Sequence, residues 1–218
     1  MPRFAANLTM LFRELPFLER FEAASIAGFK GVEVLFPYDD AASEITNRLR
    51  AWGLKMVLIN APPPNWAGGA RGFAAVPEEA GRFPGAFRRV LRYAGALGAE
   101  MVHVMAGAAE GSEALGTYID NLRAAAEQAG KLRLTIEPIN RHDMPGYFLA
   151  DYDLALEVLD NIYLQLSPER VRISSDSDPG GDACTCVGLR TSDRQAAGGR
   201  PLLAPRPMQV HASRPGSV

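Results

Sequence analysis

Cysteine is nearly absent from this chain: Cys184 and Cys186 are the only two among 218 residues. They stand one residue apart, without the C-x-x-C spacing of zinc and redox motifs, and read as incidental thiols. No apolar run approaches the roughly 20 residues needed to span a bilayer, so no membrane partner is expected. Neither charge dominates, since 23 Lys and Arg stand against 25 Asp and Glu, a formal net charge of −2. That balance leaves no electrostatic footprint for nucleic acid or an anionic surface. The opening Met-Pro-Arg-Phe-Ala-Ala-Asn lacks the charged-then-apolar pattern of a signal peptide, which predicts the cytoplasm. No G-x-G-x-x-G or Walker-type glycine loop occurs. What remains is 47% hydrophobic, enough for one soluble domain with a sizeable core.

Strand-like and helix-like patterns alternate through residue 166. Strands are predicted over Arg3–Leu8, Gly31–Leu35, Leu54–Asn60, Met101–Met105 and Leu132–Glu137. Between them lie helical patterns over Pro16–Gly28, Ala41–Trp52, Pro77–Leu97 and Leu115–Ala129, and a further one covers Asp151–Asn161. The first carries an apolar stripe of Phe17, Leu18, Phe21 and Ala24. Gly53, Gly98 and Gly130 stand where helices stop. Tyr163–Leu166 reads as the start of a sixth strand. The stretch from Ala61 to about Val76, with Pro62-Pro-Pro-Asn-Trp66, is a long irregular loop of the kind that lids and binding loops use. Repeated βα units imply a parallel sheet. A (β/α)8 ring is the expected arrangement, with an open doubly wound sheet as its competitor; the missing phosphate-binding loops count against the latter.

Each predicted strand carries a polar residue near its carboxyl end: Asn7, Glu33, Asn60, His103 and Glu137. Alternation puts Glu137 on one face with Thr135, opposite Leu134 and Ile136. Closed into a barrel, these strand ends converge on one mouth, where such folds keep their chemistry. Taken singly, each residue has an ordinary structural reading: a satisfied core histidine, turn-forming asparagines, an ion-paired glutamate, a solvated loop carboxylate. Phe36-Pro-Tyr38, Trp66 and Tyr147-Phe148 would line the same mouth and exclude water there, or simply pack.

The segments Ala6-Asn7-Leu8, Val32-Glu33-Val34-Leu35-Phe36-Pro37-Tyr38, Leu58-Ile59-Asn60, His103-Val-Met-Ala-Gly107, Asn121-Leu-Arg-Ala-Ala-Ala126, Glu137-Pro-Ile-Asn140 and Pro145-Gly-Tyr-Phe-Leu149 resemble the hydroxypyruvate isomerase family, xylose-isomerase-like TIM barrels. The resemblance covers residues 3 to about 166. It implies an intramolecular oxidoreductase of carbohydrate metabolism, interconverting aldose and ketose forms of a small hydroxy-carbonyl acid such as hydroxypyruvate and tartronate semialdehyde. It also implies a divalent metal, Mg2+ by expectation. A 2-oxo-tetronate isomerase or a sugar epimerase of the same superfamily is the alternative, and a catalytically inactive fragment the second. Glu137 matches the family's first glutamate, a metal ligand and proton carrier. Asn7, Glu33, Asn60, His103 and Arg141 would bind or orient substrate oxygens. No nucleic acid is expected as partner, and homo-oligomerisation stays open.

After Leu166 the composition changes. Residues 167–218 hold both cysteines but no Lys, Phe, Tyr, Trp or Asn, and no strand period is visible beyond Val171-Arg-Ile173. The segments that would supply the family's remaining metal ligands have no convincing match. The chain is therefore expected to comprise a barrel truncated after about five and a half βα units, residues 1–166, and an atypical, disordered tail, 167–218. The tail is either natural or the product of a shifted reading frame. On this reading the chain as written is expected to be aggregation-prone or partly unfolded, with isomerase activity undetectable, because an unclosed barrel exposes sheet edges.

Overall fold

The computed structural model describes residues 4–62 and 72–165, and within the rest the strand backbones Arg172–Ile173 and Val187–Arg190. Five parallel strands run in unbroken sequence order: β1 (Ala5–Asn7), β2 (Gly31–Val34), β3 (Lys55–Asn60), β4 (Met101–His103) and β5 (Arg133–Ile136). The helices are α1 (Arg20–Ile26), α2 (Ala42–Ala51), α3 (Phe83–Leu97), α4 (Gly111–Ala129) and α5 (Tyr152–Gln165). Parallel βαβ crossovers are almost always right-handed, so a strand order that never reverses lays every crossover helix on the same face of the sheet. A doubly wound sheet requires a reversal, and among the five parallel strands there is none. The arrangement is the wall of an α/β barrel, with each helix packed on the next from α1 to α5.

One face of the sheet is a continuous apolar layer. Ala6, Val32, Val34, Ile59, Val102, Leu134 and Ile136 are buried there. Phe21 of α1, Ile45 and Leu49 of α2, Phe87, Val90 and Ala94 of α3, and Tyr118 and Leu122 of α4 are buried in the same cluster. The helix stops are as expected: α3 ends at Gly98, whose φ of 64° is the left-handed cap a glycine adopts at little cost. The predicted Pro16–Gly28 helix begins instead as a 3-10 turn over Phe17–Glu19, and Pro77–Arg82 does likewise before α3. Each follows from a proline that lacks an N–H or from an interrupted apolar stripe.

One expectation is corrected at the carboxyl side. Tyr163 does not open a sixth strand, since α5 continues through Gln165. Leu154, Ala155, Val158, Leu159 and Ile162 keep helical spacing up to that point, and four alternating residues do not outweigh three helical turns. Within 167–218, β6 (Arg172–Ile173) and β7 (Val187–Arg190) extend the sheet, β7 antiparallel to β5 and β6 antiparallel to β7. The strand at 187–190 was not legible because edge pairing uses backbone N–H and C=O groups, which need no apolar period. The remainder of 167–218 lies outside the described residues, as does Trp66.

Candidate active site at the carboxyl ends of the strands

Register places the polar strand-end residues on the face opposite the helices. Asn7 pairs with Glu33, Asn60 with His103, and His103 with Thr135. A register shift between Val32 and Glu33 sets Glu33 beside Leu58, two residues before Asn60. Glu137 lies two residues beyond Thr135, so it shares that face by strand alternation. Register brings Asn7, Glu33, Asn60 and His103 to one face of the sheet, with Glu137 3.7 Å from His103. Arg141 is exposed on the turn that follows β5.

Asn7 is held from several sides. Its Oδ1 accepts from the Thr9 N–H at 3.0 Å, and its carbonyl accepts from the Met10 and Leu11 N–H groups at 3.0 and 2.8 Å. Thr9 Oγ1 in turn accepts from the Leu35 N–H at 3.0 Å, tying the turn after β1 to the end of β2. The Asn7 side chain also bonds Glu33. Burial pushes the Glu33 carboxyl above the usual carboxylate range; the Asn7 bond opposes that rise, and the nearby Glu137 charge adds to it.

Asn60 and His103 are 3% and 2% exposed. The Asn60 Nδ2 donates to Met105 Sδ at 3.5 Å, while its carbonyl accepts from the Tyr38 hydroxyl at 2.6 Å. Burial pushes His103 down to about 4, so the imidazole is neutral at physiological pH. Its Nδ1 lies 3.7 Å from Glu137 Oε2, an approach between a neutral ring and a carboxylate rather than an ion pair. Glu137 itself is half-exposed, and partial burial pushes its carboxyl up. Three buried polar atoms of the β3–β5 row, Asn60 Oδ1, His103 Nε2 and Thr135 Oγ1, have no hydrogen-bond partner among the described residues.

The aromatic segments divide between roof and frame. Tyr147 and Phe148 are buried beside the mouth, with the Tyr147 hydroxyl accepting from the Ala106 N–H at 3.0 Å and Phe148 N–H donating to the Gly107 carbonyl at 2.9 Å. These bonds clamp the loop after β5 onto the segment after β4. From the other side Gly72 bridges to Ala106. Gly72 has φ +87°, and a Cβ there would run into the Met105 backbone carbonyl, so the close approach depends on glycine. Tyr38 instead packs against Tyr93 of α3, with ring centroids 4.9 Å apart, and serves the frame. Sequence reasoning missed the roles of Thr9 and Thr135 and of the Tyr147 hydroxyl. Alternation already put Thr135 on the Glu137 face, but nothing local signals which hydroxyls go unpaired.

Among the described residues no group of three His, Cys, Asp or Glu side chains converges as a metal site would require. The donor set on this face is Glu137, Glu33 and His103, whose buried Nε2 has no hydrogen-bond partner among the described residues. These do not make a complete Mg2+ site, which draws on further oxygen ligands and water. No helix among the described residues is long and apolar enough to cross a membrane.

A family model described as xylose isomerase-like TIM barrel matches residues 21–175. A 2-oxo-tetronate isomerase from Cupriavidus necator is 50% identical over 159 residues, covering 70% of this chain and 61% of that protein. Hydroxypyruvate isomerase from Escherichia coli K12 is 41% identical over 168 residues, covering 74% and 65%. A solved structure titled AP endonuclease, family 2, from Brucella melitensis superposes with a TM-score of 0.70 at 41% identity, covering 74% of this chain and 65% of that one. The chain thus spans about three fifths of the length of these relatives.

Proposed function

This chain belongs to the xylose isomerase-like TIM barrel family, and from that premise we propose that it is the amino-terminal part of an isomerase of small hydroxy-carbonyl acids. The substrate class is that of hydroxypyruvate and tartronate semialdehyde, with four-carbon 2-oxo acids as the neighbouring choice. The observation that carries the reading is Glu137. It is a half-exposed carboxylate at the carboxyl end of β5, raised by burial and set 3.7 Å from a neutral His103, on the polar face of a barrel wall.

Such an isomerisation moves a proton between adjacent carbons through an enediolate. A carboxyl poised above its ordinary range is suited to take and return that proton, a role worth about 10²–10⁴-fold in rate. His103 orients the Glu137 carboxylate. Asn7, Glu33, Asn60 and Arg141 are the candidates to receive substrate oxygens. Tyr147 and Phe148 keep water from the proton in transit. Glu137 is also the one ligand this segment would contribute to a divalent cation such as Mg2+, which supplies charge stabilisation to the developing oxyanion; the remaining ligands must come from residues other than those described. We place the protein in the cytoplasm and in carbohydrate metabolism on the same reading.

The test completes the barrel with the last third of the Cupriavidus necator relative and follows hydroxypyruvate isomerisation, together with uptake of solvent deuterium into the substrate, in the presence of Mg2+. Glu137→Gln should lower both by about 10²–10⁴-fold. Near-normal turnover of the Gln variant at saturating Mg2+ would refute the role of Glu137.

A further inference from the structure

α4 carries a buried polar side chain, Asn121, that the isomerase reading leaves unused. It is 5% exposed and stands in the buried stripe that also holds Ala114, Tyr118, Leu122 and Ala125. An amide in such a stripe costs stability unless it is bonded. Its Nδ2 donates to the Ala74 carbonyl at 2.9 Å. Only the nitrogen end of an Asn amide donates, so Nδ2 rather than Oδ1 faces Ala74. Tyr118, one turn earlier on the same face, donates its hydroxyl to the Val104 carbonyl at 2.9 Å. With these two side chains α4 grips two segments at once: the end of the long loop before α3, and the chain that leaves β4.

Those two segments are bonded to each other. The Ala74 N–H donates to the Met105 carbonyl at 3.3 Å and the Ala75 N–H to the Ala106 carbonyl at 2.7 Å. Gly72 and Gly107 cross there with no room for a side chain on either. Met105 and Ala106 in turn hold parts of the mouth. Met105 Sδ accepts from Asn60 Nδ2 at 3.5 Å, and the Ala106 N–H donates to the Tyr147 hydroxyl at 3.0 Å. An apolar residue of the same volume would serve the packing of α4, so the amide answers to the carbonyl and not to the helix. We propose that Asn121 is a positioning residue for the mouth: by holding the Ala74 carbonyl it seats residues 72–76 on Met105 and Ala106, and through them fixes the Asn60 amide and the Tyr147 clamp. The inference rests on the isomerase reading only for what the mouth does; the seating is measured without substrate or turnover, so either can fail alone.

The measurement is hydrogen exchange of the full chain, followed by NMR at the backbone amides and at the Asn121 side-chain amide. In the unaltered chain the Asn121 Nδ2 hydrogens should be protected, together with the Ala75 and Ala106 amides. Nδ2 hydrogens that exchange like those of the exposed Asn47 overturn the proposal, whether or not any variant folds. Asn121→Asp keeps the shape and loses the donor; Asn121→Leu loses the donor without adding charge. In either variant exchange at Ala75 and Ala106 should quicken by about 5–150-fold, as for loss of a buried hydrogen bond, while Leu122 and Ala125 in α4 keep their rates. Equal quickening in α4 shows a packing role alone, and no quickening shows an idle bond; both overturn the proposal. In the completed barrel described above, product formed from hydroxypyruvate in deuterated water should carry more solvent deuterium per molecule in the variants than in the parent, because a loosened roof admits water to the proton in transit. An unchanged content overturns the link to the mouth. A parent barrel without turnover refutes the isomerase reading, while the exchange rates still decide the placement of Asn121.

Discussion

Tyr147→Phe removes one oxygen and little else. The ring is 3% exposed and its packing survives, so the loss of apolar burial is negligible. What changes is the Ala106 N–H, which donates to that hydroxyl at 3.0 Å in a buried setting and would lose its partner. An orphaned buried donor costs about 1–3 kcal/mol. For a domain of this size each kcal/mol lowers Tm by about 2–4 °C, so a fall of about 2–12 °C is expected. The same bond anchors the loop after β5 to the segment after β4, where Ala108 bridges to Tyr147 and Gly107 accepts from the Phe148 N–H. Amide exchange should therefore quicken at Ala106 and Phe148 before it does in α4. The control is Tyr152→Phe, since Tyr152 is 53% exposed and its variant should melt with the parent. Circular dichroism melts and hydrogen exchange read the two effects separately. A Tyr147→Phe protein with an unchanged Tm and an unchanged Ala106 amide would show that the hydroxyl carries no net stability and that the clamp is misassigned.

Three further outcomes follow from the geometry, beyond the Glu137 and Asn121 tests above. Because the Glu33 carboxyl is raised by burial and by the Glu137 charge, its ionised form costs stability as pH climbs through and above the ordinary carboxylate range, and that cost is absent below it. Glu33→Gln in chelated protein should thus raise Tm at pH 8 more than at pH 4; an equal change at both would sink the electrostatic account. Gly116 lies inside α4 with nothing within 4 Å of where a Cβ would sit, so Gly116→Ala should add about 0.5–1 kcal/mol in denaturant titration, and a loss would mean that α4 packs more closely there than described. Gly72→Ala, whose Cβ meets the Met105 backbone carbonyl, should destabilise by more than the 0.5–1.5 kcal/mol typical of a strained side chain alone; a neutral result would show that the loop before α3 can move away from β4.

Much of the wall of this barrel was legible from local pattern. Alternation marked β1 to β5 to within one or two residues at most ends, Gly98 marked the end of α3, and the face shared by Thr135 and Glu137 followed from the strand period. These are consequences of backbone geometry, in which side chains repeat every two residues along a strand and every 3.6 along a helix. The five polar strand ends were visible for the same reason. Tertiary structure decided what periodicity does not encode. The register shift at Val32 and Glu33, the continuation of α5 through Gln165 and the docking of Val187–Arg190 on β5 depend on which backbones meet. So do the neutrality of His103 and the raised carboxyls of Glu33 and Glu137, because desolvation is set by everything packed around a group. A residue's type and phase are local properties of the chain; its partner and its dielectric surroundings come from segments tens of residues away.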